Sequence, residues 1–339
     1  MQVQTTSVWF KRIALVAALL ALCVVVLGAY VRLSDAGLGC PDWPGCYGNM
    51  TVPESEAALA HAQTAYPDKP VEAHKAWKEM VHRYFAGTLG LLILATFILG
   101  WSRRNKIRVS PWTPSLLLLL VIFQAMLGMW TVTLLLKPVV VTSHLLGGMA
   151  TLALLVWIAH RHWGQLTGPV SPQSSLRFWV RGAIVILFAQ IFLGGWTSSN
   201  YAALACTDFP TCHGVWVPEM NFSNAFHLFR DLGQTASGEA LKLPAYNAIQ
   251  WLHRIGALVV LVYVGLLALK MLAYAQTRKI AIIILVLLVV QIGLGIANLV
   301  LHLPLVLAVA HNLGAALLLI SVVVLNSKIT ELPEQEAAS

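Results

Sequence analysis

The strongest constraint on the fold is a series of eight long apolar stretches. Each is about 20 residues long, the length that an α-helix needs to cross the hydrocarbon core of a bilayer. They cover residues 12–32, 79–101, 114–135, 139–160, 178–199, 246–270, 280–300 and 304–326. Only 11% of the residues are charged, whereas about a quarter are charged in soluble domains. The sequence therefore predicts an all-α membrane protein with eight transmembrane helices.

The charged residues indicate how these spans are oriented. Basic residues without acids precede the first span and lie after the second, fourth and sixth, at Lys11, Arg12, Arg103, Arg104, Lys106, Arg108, Arg161, Arg177, Arg181, Lys270, Arg278 and Lys279. The acids lie mainly in two long loops, after the first and fifth spans. Because cytoplasmic loops are rich in Lys and Arg, we expect both termini in the cytoplasm and the long loops outside, in a cell (inner) membrane. The net charge of +8 follows from this bias and gives no reason to expect a nucleic-acid partner.

The second half of the chain repeats motifs of the first half in the same order. The matched motifs are CPDWPGCYGNMTVP from Cys40 and CTDFPTCHGVWVP from Cys206, MVHR and WLHR ending at Arg83 and Arg254, Q-x-x-x-G from Gln124 and Gln291, and SHLLGG and AHNLGA around His144 and His311. Each half has an even number of spans, so both halves have the same orientation and form a parallel repeat. We predict two four-helix bundles, an N-terminal half over residues 1–165 and a C-terminal half over residues 166–339.

Four of the eleven histidines lie at a matched depth in the predicted spans. They are His82, His144, His253 and His311, each within about two turns of the outer end of an even-numbered span. Polar groups at this depth usually face a partner inside the bundle, and two facing imidazoles suit a heme iron. A hydrogen bond between helices is the alternative for any single histidine. Zinc is disfavoured because the halves repeat no carboxylate or thiolate at this depth.

The residues around these histidines extend the pattern. Arg83 and Arg254 each follow a proposed ligand, so they are candidates for ion pairs with heme propionates. The alternative is an arginine that extends from the helix end to the membrane surface. 

Four cysteines lie in the two outer loops, where the compartment is oxidising. We therefore predict the disulfides Cys40–Cys46 and Cys206–Cys212. As a structural link, each would contribute about 2 kcal/mol of stability, although a redox role for the first pair is an open alternative. Cys23, in the middle of the first span, is expected to be buried.

Together these motifs resemble the heme A synthase family. The resemblance rests on VRLSDAGLGCPDWPGC, EMVHR, WLHR and the SH and AH starts of spans four and eight, and it covers nearly the whole chain. It implies a duplicated eight-span enzyme that oxidises the C8 methyl group of heme O to a formyl group, giving heme A for terminal oxidases. It further implies that His82 and His144 flank heme O and that His253 and His311 ligate a heme b cofactor. The implied partners are heme O, its synthase, an electron acceptor of unspecified chemistry and membrane lipid.

The two halves differ beside the proposed ligands. Glu79 lies three residues before His82, on the same helix face, whereas Gln250 stands at the matching position before His253. Arg32 is likewise matched by Ser198. A carboxylate in the first site can accept protons or stabilise developing positive charge, so we predict that Glu79 is catalytic. The alternative is an interfacial acid near basic neighbours.

Two other functions are compatible with parts of the pattern. A diheme b-type electron-transfer protein, such as a quinol-oxidising cytochrome b, explains the histidines but not the difference between Glu79 and Gln250. A transporter with parallel repeats predicts helices broken near the midplane at matching positions, and the spans contain no matched proline there.

The long outer loops are expected to contain helices of their own. We predict a short helix over residues 54–65 and a second with Pro70 in its first turn that continues into the second span. The segment 221–232 is amphipathic and is expected to lie on the membrane surface.

Overall fold

The computed structural model describes residues 8–107, 109–163 and 174–330, whose regular secondary structure consists of α-helices, one short 3-10 helix (Arg104–Lys106) and isolated β-bridges. The helices are α1 (Val8–Leu33), α2 (Glu56–Ala65), α3 (Ala73–Ser102), α4 (Trp112–Thr133), α5 (Pro138–Trp163), α6 (Ser174–Ser199), α7 (Phe222–Ala225), α8 (Leu243–Met271), α9 (Ala275–Val300) and α10 (Leu305–Thr330). All except α2 and α7 are long and apolar enough to cross a membrane. The predicted eight-span all-α fold is confirmed.

Several spanning helices begin before the apolar stretches that predicted them, among them α1, α3, α6, α8 and α9. Helix α3 starts at Ala73 and α8 starts at Leu243, with a proline in its first turn. Hydropathy detects only the part of a helix that lies in the hydrocarbon core, whereas a helix continues until its backbone groups find other partners. The N-terminal turns of α3 and α8 lie beside the loops that carry the motif cysteines, since Cys40 contacts Glu79 and Cys206 contacts Gln250.

The spans contact one another in two rings. Helices α1, α3, α4 and α5 pack in the order α1–α3–α4–α5 with α5 returning to α1, and α6, α8, α9 and α10 pack in the same way. Between the rings, α5 contacts α6 and α10, and α1 contacts α10. The contact of α1 with α10 and that of α6 with α5 are equivalent under the proposed repeat, which is the pattern expected for a two-fold axis between α5 and α10.

Three polar contacts between the rings join residues one repeat apart. Arg32 Nη2 donates to the carbonyl of Ser198 at 2.9 Å, the Tyr201 hydroxyl donates to Asp35 at 3.5 Å, and His160 Nδ1 lies 2.9 Å from the hydroxyl of Ser327. Residues beside a two-fold axis meet their own counterparts, so these contacts support the duplication. The two-bundle repeat stays a prediction, and its boundary at residues 165 and 166, like Arg108, lies outside the described residues.

Small side chains bring α1 close to its neighbours. Ala14, Ala17 and Ala21 are buried in the core of the first ring, and small residues allow close packing between helices in a membrane. Cys23 lies two residues after Ala21, on the opposite side of the helix, and is exposed. The expectation that Cys23 is buried was therefore wrong, because its side of α1 faces outward.

The outer loops match the sequence predictions only in part. Helix α2 is present, and the Ser55 hydroxyl accepts a hydrogen bond from the N–H of Ala58 at its start. Pro70 precedes α3 instead of lying in its first turn. The segment 221–232 forms only the short helix α7. Arg230, further along the segment, is buried and donates to Asn200 Oδ1 at 2.5 Å. This contact ties the segment to the end of α6, and its position on the membrane surface stays a prediction.

Candidate functional site

A disulfide-closed loop lies at one end of each ring, against the N-terminal part of α3 or α8. The bonds join Cys40 to Cys46 and Cys206 to Cys212, as predicted. In the first loop the carboxylate of Asp42 accepts hydrogen bonds from the N–H groups of Tyr47 at 2.6 Å and Gly48 at 2.8 Å. Both of these residues have positive φ, 53° and 76°. The aspartate and the glycine of the C-x-D-aromatic-P-x-C-x-G motif are thus explained by the turn that they form.

The second loop repeats this turn. Thr211 and the N–H groups of Gly214 and His213 donate hydrogen bonds to Asp208, which hold the pKa of its carboxyl well below the usual range. A carboxyl whose pKa is lowered by folding stabilises the folded loop above its unfolded pKa, and this contribution is lost only as the pH falls through the lower value. The loop is therefore expected to keep its form throughout the neutral range.

Glu79 fastens the first loop to α3. Its Oε2 atom accepts a hydrogen bond from the N–H of Cys40 at 3.0 Å, and its Oε1 atom pairs with Arg83 Nη2 at 2.6 Å. The Arg83 guanidinium also donates to the carbonyls of Pro44, at 3.2 Å, and Gly45. The Glu79 side chain is only 6% exposed, so this ion pair is largely shielded from solvent and holds the carboxylate in one place.

Gln250 occupies the equivalent position in the second ring. Its Oε1 atom accepts from the N–H of Cys206 at 2.9 Å, and its Nε2 atom donates to the carbonyls of Cys206 at 3.2 Å and Ala203 at 2.5 Å. Arg254 donates to the carbonyls of Thr211 at 2.8 Å and Asp208 at 3.0 Å, and to Gln250 Oε1 at 3.4 Å. The same loop attachment is thus made by a carboxylate in one half and by an amide in the other.

The two arginines have a role that the sequence did not reveal. Arg83 and Arg254 bind backbone carbonyls of the disulfide loops, so several of their donors are already used. A contact with heme propionates stays a prediction, and it would have to use the remaining N–H groups or displace a loop carbonyl.

The four candidate histidines lie on helices of the expected pairs. His82 on α3 shares the first ring with His144 on α5, and His253 on α8 shares the second ring with His311 on α10. All four residues are partly buried, which leaves part of each side chain accessible to a ligand.

Each of the four imidazoles packs against a glycine on a neighbouring helix. The pairs are His82 with Gly28, His144 with Gly128, His253 with Gly194 and His311 with Gly295. A Cβ atom at any of these glycines would lie 3.0–3.3 Å from the imidazole Cε1, closer than ordinary van der Waals contact. The sequence carries this signal as glycines at matching positions of the repeat, but their role becomes visible only when the helices are packed.

The residues present fit a pair of hemes better than a zinc site. The Nδ1 atoms of His82, His144 and His311 are buried and have no hydrogen-bond partner in the described part of the chain, so the polar contacts of these three rings are incomplete without a further group. The same residues contain no group of three or more His, Cys, Asp or Glu side chains that could hold a metal ion. A structural zinc needs four protein ligands, whereas a porphyrin supplies most ligands of its iron and needs only axial imidazoles.

We expect a large side chain at Gly295 to disrupt the second site. Gly295→Leu would push the imidazole of His311 from its place, because even a Cβ there lies 3.2 Å from the ring. The measurement is the bound-heme spectrum of the purified protein, which should lose most of its bis-histidine component. Gly293→Leu is the matched control on the same helix, since nothing lies within 4 Å of a Cβ at that position. Equal spectra for the two variants would show that the glycine does not shape a ligand site.

Comparison with known proteins places the chain among related sequences. The COX15-CtaA family model, described as cytochrome oxidase assembly protein, matches residues 11–323. A protein of Shewanella oneidensis named heme A synthase is 46% identical over 326 residues, which cover 94% of this chain and 95% of the relative.

More distant relatives carry the same name. The heme A synthase of Caulobacter vibrioides is 28% identical, covering 90% of this chain and 91% of its own length. That of Halalkalibacterium halodurans is 24% identical over 70% of this chain and 78% of its own length. The similarity to the proteins of Shewanella oneidensis and Caulobacter vibrioides covers 94% and 90% of this chain.

Proposed function

Because the chain belongs to the COX15-CtaA family of cytochrome oxidase assembly proteins, we infer that it is a heme A synthase. It is then a membrane oxidoreductase that converts a methyl group of heme O to the formyl group of heme A. The observation that carries this conclusion is the near full-length similarity to the Shewanella oneidensis protein. The two histidine pairs, each seated against glycines, support it independently.

We propose that the two rings hold different hemes. His82 and His144 bind the substrate heme O, and His253 and His311 hold a resident heme b. When bound, heme b supplies a one-electron redox centre that passes electrons to an acceptor. The assignment of substrate to the first ring is supported by Glu79, since only this ring has an ionisable side chain where the other has the amide of Gln250.

Glu79 is proposed to accept protons during the reaction. Conversion of a methyl to a formyl group removes protons and electrons and adds an oxygen atom, so a nearby base is needed. Glu79 lies one turn from His82, and its carboxylate is held by Arg83 at 2.6 Å and by the N–H of Cys40 at 3.0 Å. These two contacts fix the carboxylate where the first disulfide loop meets α3, which makes the loop a positioning element for the base.

The proposed orientation places both termini in the cytoplasm and both disulfide loops outside a cell inner membrane. Disulfides form and persist in oxidising compartments, and the loops that carry them lie at the same end of both rings. Heme O made by its synthase would enter from the lipid, and the electrons would pass to an acceptor outside the chain.

A change in cellular heme composition tests the proposed function directly. In a host that depends on this gene for its terminal oxidase, deletion is expected to abolish heme A and to cause heme O to accumulate. The measurement is chromatography of acid–acetone heme extracts with pyridine-hemochrome spectra, and re-expression of the intact chain is the control. A diheme electron-transfer protein would leave the ratio of heme A to heme O unchanged, and that result would contradict the proposal.

A further inference from the structure

Three of the four site histidines receive an additional hydrogen bond from a neighbouring helix. In each case a glutamine Nε2 atom donates to the backbone carbonyl of the histidine, and we call this contact a glutamine clamp. The clamps are Gln124 to His144 at 2.8 Å, Gln190 to His253 at 3.1 Å and Gln291 to His311 at 3.0 Å. They join α4 to α5, α6 to α8 and α9 to α10 at the level of the proposed ligands.

Each clamping glutamine packs against a glycine on the facing helix, and we call this glycine the seat of the clamp. The amides of Gln124, Gln190 and Gln291 lie against Gly147, Gly256 and Gly314, where an added Cβ would overlap the glutamine side chain. Because a carbonyl only accepts hydrogen bonds, the amide nitrogen must face it, and the orientation of the amide is thereby determined. The remaining Oε1 atom of each glutamine is buried without a partner among the described residues. In the second ring the glutamine Nε2 atoms also lie beside the imidazoles, 3.1 Å from Nδ1 of His253 and 3.3 Å from Nε2 of His311, so these two clamps contact the rings of the proposed ligands as well as their backbone.

His82 has no glutamine clamp in the described part of the chain. The repeat that relates Gly28 to Gly194 relates Val24 to Gln190, because both pairs are 166 residues apart. The repeat that relates His82 to His253 relates Phe85 to Gly256, because both pairs are 171 residues apart. The first ring therefore has neither the donor nor the seat between α1 and α3. 

We propose that this difference makes His82 the exchangeable heme ligand of the first ring. It would bind when heme O enters and detach when the product heme leaves. In the second ring both ligands are clamped, which suits a heme that stays bound. In the first ring the backbone carbonyl of His144 accepts a clamp and that of His82 does not, so His82 would exchange with one side-chain hydrogen bond fewer than its counterpart His253. This inference rests on the proposed function, because it assumes that the four histidines are heme ligands.

The alternative is that the glutamines are ordinary polar contacts between helices, with no effect on ligand exchange. Such contacts are common in membrane proteins and are individually weak. The two explanations predict that substitution of a glutamine alters different measured properties. Ordinary contacts alter the stability of the whole protein, whereas a clamp alters the rate at which one particular heme leaves.

Heme transfer from the full-length protein distinguishes these explanations. The protein in lipid nanodiscs is loaded with ferric heme b at both sites and mixed with excess apomyoglobin, and absorbance reports heme release. We expect a fast and a slow phase, and His82→Ala should remove the fast one. Gln190→Val, which copies the first ring, should accelerate the slow phase roughly three- to tenfold, the factor that one interhelical hydrogen bond commonly supplies, and should leave the fast phase unchanged.

The opposite substitutions, which introduce a clamp into the first ring, test the proposal if Gln190→Val folds poorly. Val24→Gln combined with Phe85→Gly installs the donor and its seat in the first ring and should slow the fast phase by a similar factor. Phe85→Gly alone is the matched control, because it opens the seat without a donor and should not slow release.

The possible failures are separate. If heme left both rings at the same rate, the proposed role of the glutamine clamps would be wrong. The same holds if neither Gln190→Val nor Val24→Gln with Phe85→Gly altered the release rates. In both cases the four histidines could still be heme ligands. A protein that shows no bis-histidine spectrum would overturn the ligand assignment itself and the clamp with it.

Discussion

Glu79→Gln is expected to abolish formation of the formyl group while both hemes remain bound. The second ring shows that the substitution is structurally sound, since Gln250 makes the same contact with its loop that Glu79 makes with Cys40. A glutamine at position 79 should therefore keep the disulfide loop in place but cannot accept a proton. Loss of a general base commonly lowers rates about 100- to 10,000-fold. The measurement is the yield of heme A from heme O by the purified variant, alongside its heme spectrum.

The reverse substitution provides the matched control. Gln250→Glu places a carboxylate beside Arg254, where the first ring already has the pair of Glu79 and Arg83. We expect this variant to retain heme A formation, because methyl oxidation is proposed for the first ring only. If Glu79→Gln retained full activity, Glu79 would be only an attachment for the loop, as Gln250 is.

His253→Ala is expected to remove the resident heme and, with it, the activity. One axial ligand would be lost from the second ring, so the bis-histidine spectrum of the site should disappear and the total heme content should fall by about half. The protein should remain folded, because an alanine is well tolerated in a helix. The measurement is heme content per protein together with the reduced-minus-oxidised spectrum. 

A histidine outside the rings serves as the control for this variant. His227 is exposed in the second outer loop, and His227→Ala should keep both the spectrum and the activity. Retention of the full heme content by His253→Ala would exclude His253 as an axial ligand and would require another residue to hold the heme.

Patterns along the chain were sufficient to predict the spans and the candidate ligands. The hydropathy of a 20-residue stretch depends only on its own side chains, so the eight spans were identified although the starts of α3 and α8 were placed too late. The histidines stood out because a polar residue within an apolar stretch is rare and costly. The disulfides followed from cysteines only six residues apart, where few alternative pairings exist.

Predictions that depended on orientation around a helix or on distant contacts were less successful. Cys23 was expected to be buried but faces outward, because its neighbours in the fold decide which side of α1 is covered. The segment 221–232 forms only the short helix α7, and Arg230 further along bonds to Asn200 at the end of α6. Neither outcome can be derived from a local sequence pattern.

The sequence by itself determined the fold class, the repeated motifs and the chemical difference between Glu79 and Gln250. Only the tertiary structure showed that these two residues make the same attachment to their loops, that glycines make room for all four imidazoles, and that His82 lacks the glutamine clamp of the other three. The physical reason is the separation along the chain of the residues that interact. Partition into a membrane is a property of each helix alone, whereas a hydrogen bond or a close packing contact exists only when residues far apart in the chain are brought within a few ångströms of each other.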